Sequence, residues 1–249
     1  MRIALLSDVH ANLHALDAVL ADIAARPDVA ARYHLGDLVG YSAFPDAVVA
    51  RLDAEDIPGI AGNYDSTVAT GYKHCGCRSE NAAQEALAHE SFAWTLAHTT
   101  EATKRRLAAL PFRLDIRPLG GHVAGPTLTL VHATPDSNLV YVTEDRSDDF
   151  LRKMAARAGL KEGDALAFGH THKPWSRLVD GIRFVNTGSV GRPKDGDPRA
   201  GYAIVDFAAS VAPAVEFVRV AYDVAAAKDA LHQAGLPASF GVTLETGIA

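Results

Sequence analysis

Residues 2–10 read RIALLSDVH, an apolar run that ends in an aspartate and a histidine. Arg2–Ser7 has the aliphatic character of a buried strand, and Asp8 and His10 follow it at alternate positions. The apolar part of this run is far too short for a signal sequence or a membrane span. We therefore expect a cytoplasmic protein without a membrane partner, whose first strand carries metal-binding side chains at its end.

The same pattern recurs along the chain, because four further apolar runs each end in a residue that can bind a metal ion. These residues are Asp37, Asn63, His132 and His170, with His172 one alternate position further on. Amphipathic stretches such as Leu13–Ile23 separate the runs, which indicates strands joined by crossover helices. In a largely parallel sheet the carboxyl ends of the strands line one crevice, so we expect these donors to converge.

The remaining sequence predicts the other elements. We expect a third strand at Ile57–Ala61, a loop over residues 62–78, a strand pair around Asp180–Gly181 and a final helix at Asp223–Ala234. No linker or repeat divides the 249 residues. We therefore predict a single domain over residues 1–249, with a loop and helical insertion at about 62–110 and a C-terminal helix and tail at about 223–249.

The chemistry of the donor set points to two divalent ions. Two carboxylates, one amide and four imidazoles suit two ions that share one carboxylate, and such a pair activates water and clamps phosphoryl oxygens. Two ions bring four positive charges and Asp8 with Asp37 remove two, so the site should attract phosphate despite a formal charge of −6. That overall charge argues against duplex nucleic acid as a partner and favours a small phosphate ester or nucleotide.

Six short motifs resemble, in order, those of calcineurin-like metallophosphoesterases. They are Ser7-Asp8-Val9-His10, Gly36-Asp37-Leu38-Val39-Gly40-Tyr41, Gly62-Asn63-Tyr64-Asp65, Val131-His132-Ala133, Gly169-His170-Thr171-His172 and Asn186-Thr187-Gly188-Ser189. Residues 188–200 are also similar to a bacterial branch of phosphodiesterases and diadenosine-tetraphosphatase relatives. The resemblance implies an α/β fold, a four-layer αββα sandwich in which two mixed β-sheets pack face to face with helices outside.

The resemblance also implies roles for individual residues. Asp8, His10, Asp37 and His172 would hold one ion, and Asp37, Asn63, His132 and His170 the other. The implied reaction is attack of a metal-bridging hydroxide on a phosphodiester or activated phosphate ester, with nucleotide or cyclic-nucleotide substrates favoured. Asp37, Asn63 and His132 would take part in catalysis through that hydroxide and the bound phosphate. Manganese is the favoured metal, and iron, zinc, cobalt and nickel remain open.

Tyr64 departs from the commonest family pattern, in which a histidine at this position assists the leaving oxygen. A positioned general acid contributes roughly 10²–10⁴-fold to the rate. Tyrosine, with a reference pKa of about 10, can still donate a hydrogen bond, so Tyr64 is a candidate catalytic residue. The change favours diesters and aryl esters over alkyl monoesters.

Three polar residues are candidates for substrate binding. Asn12 follows the first motif, but it is also suited to cap the first helix. Arg192 and Lys194 suit phosphate oxygens, with solvated loop charges as the alternative. His34, inside the second strand, is interpreted as a packed histidine. Cys75 and Cys77 are expected to be free thiols in a tolerant loop, since one intervening residue makes a poor cross-link.

Two other classes of function compete with this interpretation. A metal-binding scaffold or interaction module on the same fold would be expected to have replaced some donors, and here none is replaced. An amidohydrolase would carry its His-x-His element on the first strand, whereas here it lies near residue 170. The sequence contains no Gly-x-Ser-x-Gly or Gly-x-x-x-x-Gly-Lys motif, which excludes the commonest nucleophilic hydrolases and P-loop enzymes.

Overall fold

The computed structural model describes residues 1–77, 81–118, 125–208 and 212–248. Within them the strands are β1 (Arg2–Leu6), β2 (Val29–His34), β3 (Arg113–Ile116), β4 (Leu128–Val131), β5 (Ala165–Phe168), β6 (Trp175–Val179), β7 (Ile182–Asn186), β8 (Ala200–Asp206) and β9 (Ala214–Val220). The helices are α1 (Leu13–Ala24), α2 (Pro45–Ala54), α3 (Asn63–Ala69), α4 (Ala82–His98), α5 (Glu101–Ala108), α6 (Asp148–Ala158), α7 (Val224–Gln233) and α8 (Ala238–Thr246).

The strands form two mixed sheets. The first has the order β2-β1-β8-β9 and the second β3-β4-β5-β7-β6. Among the strands of the described residues, only the pairs β1–β2, β4–β5 and β5–β7 are parallel, so the expectation of a largely parallel sheet is wrong. The donors nevertheless follow β1, β2, β4 and β5, which all belong to parallel pairs, and the argument from strand ends holds for them.

Alternation along β1 shows how the layers are built. Ile3 and Leu5 pack into the core between the sheets, where they join Leu128 and Leu130 of β4. Ala4 and Leu6 point to the other face and pack beneath α1 and α2. A third cluster lies between α6 and the outer face of the second sheet. The predicted four-layer sandwich is therefore confirmed, and strand period two explains how one strand serves two cores.

Three predicted elements need correction. Residues 57–61 make only an isolated bridge, between His34 and Gly59, because Pro58 has no N–H to continue a ladder. Part of the predicted loop 62–78 is the short helix α3, whose first turn is stabilised by Asp65 accepting from the Gly62 N–H at 3.0 Å. The helix predicted at Asp223–Ala234 is α7, but α8 follows it after a short turn.

Candidate metal centre

The seven predicted donors converge at one edge of the sandwich. Asp8 and His10 follow β1, Asp37 follows β2, His132 follows β4, and His170 and His172 follow β5. Asn63 is the first residue of α3, which begins where the 57–61 segment ends beside β2. All seven are buried, so the two sheets bring together polar side chains that are separated by up to 164 residues in sequence.

The first donor group comprises Asp8, His10 and His172. His172 Nε2 lies 3.2 Å from Asp8 Oδ1 and 3.1 Å from His10 Nε2. His10 Nε2 lies 3.8 Å from Asp8 Oδ1. Their candidate ligand atoms all lie within 4.8 Å of one another, as a shared metal ion requires.

The second donor group comprises Asp37, His132 and His170, with Asn63 beside it. His132 Nε2 lies 3.5 Å from Asp37 Oδ2, 3.2 Å from His170 Nδ1 and 3.1 Å from Asn63 Oδ1. The ligand atoms of Asp37, His132 and His170 again lie within 4.8 Å of one another. Oxygen and imidazole donors without thiolate suit hard to borderline divalent ions.

Asp37 links the two groups through one carboxylate oxygen. Its Oδ2 lies 3.5 Å from His132 Nε2 and 3.9 Å from His10 Nε2. Its Oδ1 is occupied by the N–H of Tyr64, which donates to it at 2.8 Å. The geometry thus directs a single oxygen of Asp37 toward both groups.

Backbone carbonyls fix the orientation of three imidazoles. The Nδ1 atoms of His10, His132 and His172 hydrogen-bond to the carbonyls of Val39, Leu35 and Arg192 at 3.1, 2.8 and 2.6 Å. Such bonds place the proton on Nδ1 and leave Nε2 as a ligand atom. His170 is the exception: its Nδ1 faces His132, and Tyr141 covers its ring at a centroid distance of 4.2 Å.

The backbone of the donor set adopts an unusual conformation. Five donors have left-handed φ angles: Asp8 at 53°, His10 at 48°, Asp37 at 51°, His170 at 66° and His172 at 61°. Residues with a Cβ rarely adopt such angles, and they cluster at functional sites. Gly169 permits the close approach of the two sheets, since a Cβ there would lie 2.0 Å from Ser7 Oγ.

The electrostatics of the two groups differ. Burial raises the pKa of Asp37, but His132 and other neighbours outweigh this effect and lower it overall. Burial opposes the charged form of His132, yet Asp37 raises its pKa to about 10. Burial, reinforced by a neighbouring imidazole, lowers the pKa of His10 and of His170 to about 3.

A divalent ion fits this arrangement on structural grounds. Asp8 Oδ2 accepts from Ser7 Oγ at 2.6 Å and from the His170 N–H at 3.0 Å, whereas the buried Asp8 Oδ1 has no hydrogen-bond partner among the described residues. An orphaned, fully buried carboxylate oxygen is costly unless a ligand satisfies it. The oxygen faces the imidazoles of the first group, where a cation would contact it.

The substrate-binding candidates lie in different environments. Asn12 accepts from the Ala15 N–H at 3.1 Å as the cap of α1, and its amide nitrogen donates to the Gly191 carbonyl at 2.9 Å. Both ends of its side chain are occupied within the fold, so the suggestion that Asn12 binds substrate is corrected to a structural role. Arg192 and Lys194, in contrast, line a cavity of about 600 Å³ beside the metal edge.

Tyr64 is not among the residues that line this cavity, although its ring centroid lies 5.8 Å from that of His10. Its ring is fully buried, packs near Phe92 and hydrogen-bonds through its hydroxyl to Ser91 Oγ at 2.9 Å. Burial raises its pKa well above the ordinary value. The structure therefore contradicts the suggestion that Tyr64 serves directly as a proton donor, because its hydroxyl is engaged in the core.

Cys75 and Cys77 are also corrected. The structure joins them in a disulfide with their Cα atoms 5.3 Å apart, so the expectation of free thiols is wrong. Gly76, at a φ of 76°, provides the tight turn that brings them together. Asn63 Nδ2 donates to the Cys75 carbonyl at 3.0 Å and lies 3.5 Å from Cys77 Sγ, so this turn orients a donor of the second group.

Sequence reasoning missed several residues that support the site. Asp65 accepts from the N–H groups of Leu38 and Gly62 at 2.8 and 3.0 Å and thereby joins two donor loops. Burial, with the charge of Asp37, raises the pKa of Asp65 to about 7. Its place in the third motif was the available signal, whereas nothing in the sequence pointed to Tyr141.

Comparison with known proteins agrees with this geometry. Residues 1–210 match the calcineurin-like phosphoesterase superfamily domain, and the chain belongs to that family. An uncharacterized protein from Methanocaldococcus jannaschii is 29% identical over 262 residues, covering 98% of each chain.

Two solved structures extend the likeness to the whole chain. A metallophosphoesterase from Sphaerobacter thermophilus is 28% identical with a TM-score of 0.76, over 100% of this chain and 99% of that one. A hypothetical protein from Pyrococcus horikoshii is 20% identical with a TM-score of 0.81 over the same shares, which bears on the fold alone. In the described part of the chain, no helix has the length and apolar character to cross a bilayer.

Proposed function

We propose that this chain is a dinuclear metal-dependent phosphoesterase that hydrolyses phosphodiesters or activated phosphate esters, with nucleotide-type or cyclic-nucleotide substrates favoured. Asp8, His10, Asp37 and His172 would hold one divalent ion, and Asp37, Asn63, His132 and His170 the other. The observation that carries the proposal is the convergence of two donor groups on one oxygen of Asp37. Action in the cytoplasm stays a prediction.

Two divalent ions at this centre, manganese by preference, would supply an activated water and positive charge for the phosphoryl oxygens. The chain's own residues orient this chemistry. Ser7 and the His170 N–H hold one oxygen of Asp8, so the other stays directed into the centre. The carbonyls that bind His10, His132 and His172 keep their Nε2 atoms directed inward.

Arg192 and Lys194 are suited to bind the remaining anionic oxygens of the substrate. No carboxylate in the described portions of the chain lies within ion-pair distance of either side chain. The backbone of each is tied to His172: the Arg192 carbonyl accepts from its Nδ1, and the Lys194 N–H donates to its carbonyl at 3.3 Å. One short loop therefore connects the two side chains expected to bind the substrate anion with His172 of the first donor group.

The buried position of Tyr64 supports the preference for good leaving groups. A histidine at this position would assist the departing oxygen, and the tyrosine hydroxyl is engaged with Ser91 instead. Esters whose leaving groups need little protonation depend least on a general acid. Aryl and nucleotidyl diesters should therefore be hydrolysed faster than alkyl monoesters.

The test is a panel of phosphomonoesters and phosphodiesters assayed on metal-stripped protein, with each divalent ion added back separately. We expect no turnover in the stripped protein, recovery with manganese, and two bound ions per chain by elemental analysis. Two bound ions without turnover on any ester would favour the alternative, a metal-binding scaffold or interaction module on the same fold. A single bound ion would contradict the dinuclear centre.

A further inference from the structure

The cavity of about 600 Å³ is lined by residues that contact a donor of each group. Tyr41, on one wall, meets the His10 ring edge to face at 5.1 Å, and Tyr141 lies over the His170 ring. Thr171, between two donors, also lines the cavity. A group attached to a phosphate at the metal centre would therefore extend into this space.

Another part of the lining comes from the C-terminal hairpin, defined as α7, α8 and the residues that follow to 248. Phe240, Val242 and Ile248 are among its lining residues. They lie beyond residue 210, where the family match ends. This part of the cavity is therefore built by sequence outside the region that carries the metal motifs.

Defined contacts hold the hairpin in place. Trp94 Nε1 donates to the Ala234 carbonyl at 2.9 Å, and Phe240 packs edge to face on Tyr41 at 5.5 Å. The Gly196 N–H donates to the Gly247 carbonyl at 2.9 Å. Gly247 has a φ of 65°, and a Cβ there would lie 2.8 Å from the Asp197 backbone. The close contact between the hairpin and this loop therefore requires glycine at position 247. The hairpin thus rests on the same loop that carries Arg192 and Lys194.

The chemistry of the lining combines cations with flat and apolar surfaces. Lys173, Arg192 and Lys194 line the cavity, and no carboxylate does so among the described residues. The Arg192 guanidinium lies 4.2 Å from the Tyr41 ring centroid and 5.9 Å from that of Phe240, and its Nε is buried without a partner in the described ranges. An anion next to a planar group would complement these features.

We propose that the C-terminal hairpin selects the substrate, and that it favours a phosphodiester whose second group is a planar aromatic ring such as a nucleobase. The proposal rests on the proposed function and names the substrate class of the same site. A cavity of this volume is in the range that binds drug-sized ligands, and phosphate alone would fill little of it. Phe240 acts as a positioning residue, because it supports the Tyr41–Arg192 stack.

The experiment compares two diesters that release the same 4-nitrophenolate, the thymidine 5′-ester and the methyl ester. Since the leaving group is identical, the comparison reports the retained group alone. We expect the native protein to favour the thymidine ester about tenfold in kcat/KM, the order expected for stacking of one base, with the difference in KM. Equal kcat/KM for the two esters would overturn the proposal.

Two variants test the hairpin itself. Val242→Glu adds a carboxylate to an exposed cavity position and should raise KM for the thymidine ester at least fivefold, about the effect of one like charge near an anion. Its matched control is Leu178→Glu, at an exposed position outside the lining, which should change neither ester. Phe240→Leu should reduce the preference through KM, and Phe240→Tyr should restore it. Equal loss for both esters would indicate a merely structural role.

A binding measurement separates this proposal from the proposed function. Calorimetric titration of the full chain with thymidine 5′-monophosphate and with methyl phosphate needs no turnover. About tenfold tighter binding of the nucleotide, reduced in Val242→Glu, would support the hairpin as a base-binding wall even if every ester resisted hydrolysis. Equal binding of the two ligands would contradict it, whatever the activity.

Discussion

The two donor groups differ in what holds them. Asp8, His10 and His172 are fixed by Ser7, by the His170 N–H and by carbonyls of the loops that follow β2 and β7. In the second group, the amide of Asn63 is oriented by the Cys75–Cys77 turn, which lies outside both sheets. The comparison teaches that the first group is fixed by residues next to the strand ends, whereas one donor of the second group, Asn63, also depends on a separate loop. We expect the second ion to be the more easily lost.

Asp37→Ala should have the largest effect, because it removes the oxygen that both groups share. Loss of an outer partner of a ligand already costs about 10–100-fold, so loss of this ligand should cost on the order of 10³-fold or more in kcat/KM. Crystals soaked in manganese should show two anomalous peaks in the native protein and fewer in the variant. Asn12→Ala is the control, and a comparable loss there would mean that the centre is misplaced.

His34 is a buried histidine that belongs to neither donor group, so it serves as a reference for the buried imidazoles of the centre. Burial, with a contribution from Arg106, lowers its pKa to about 3. In the unfolded chain the pKa of His34 is about 6.5, so the unfolded state binds the proton at a higher pH than the folded state does. The contribution of neutral His34 to the free energy of unfolding is therefore fully present above about pH 6.5 and is lost as the pH falls toward 3. At pH 4 the free energy of unfolding should be lower by about 3 kcal/mol from this residue alone, as follows from the pKa difference between the two states.

Denaturant unfolding of metal-free protein between pH 4 and 7 measures this effect. His34→Leu should flatten the pH dependence, since it removes one proton uptake on unfolding. His89→Leu, on the exposed side of α4, controls for loss of an imidazole as such. An unchanged slope in His34→Leu would show that other groups account for the acid sensitivity.

Asn63→Ala should separate the two halves of the centre. The variant removes the amide donor 3.1 Å from His132 but leaves the first group intact. We expect affinity for the second manganese ion to fall on the order of 100-fold, with the first ion retained. Calorimetric titration resolves the two binding events. Simultaneous loss of both ions would show that the halves are not independent.

Tyr64→His should alter the dependence of rate on the leaving group. A histidine at this position should raise turnover of poor leaving groups by about tenfold or more and of good ones hardly at all, because only the former need a proton in the transition state. A series of esters graded by leaving-group pKa, at saturating metal and one pH, gives the two slopes. Coincident slopes would mean that another residue supplies the acid.

The smallest effect is expected for Cys75→Ser with Cys77→Ser. The Cys75 carbonyl, which holds Asn63 at 3.0 Å, belongs to the backbone and survives the substitutions. Turnover should therefore stay within about threefold and metal content at about two ions per chain, with the second ion bound less tightly. Loss of a full metal equivalent would show that the sulfur atoms do more than brace the turn.

The convergence of the seven candidate donors could be predicted because each lies at the end of an apolar run. Strand ends are marked by a local change from apolar to polar residues, and strand pairing then brings them together. The cavity wall could not be predicted in this way. Tyr41, Tyr141 and Phe240 come to line one cavity only through tertiary packing, and the sequence of α8 has too little amphipathic character to be recognised as a helix. The catalytic role predicted for Tyr64 failed for the same reason. Its hydroxyl is buried against Ser91 of α4, which lies far along the chain.

The left-handed backbone of five donors restricts how this sequence can diverge. Valine, isoleucine and threonine are poorly tolerated at such φ angles, whereas glycine and asparagine adopt them readily. A related chain released from metal binding should therefore drift toward glycine or asparagine at positions 8, 10, 37, 170 and 172. Aspartate and histidine, like asparagine, are enriched among the non-glycine residues at such φ angles, so this backbone admits the metal donors but does not by itself select them.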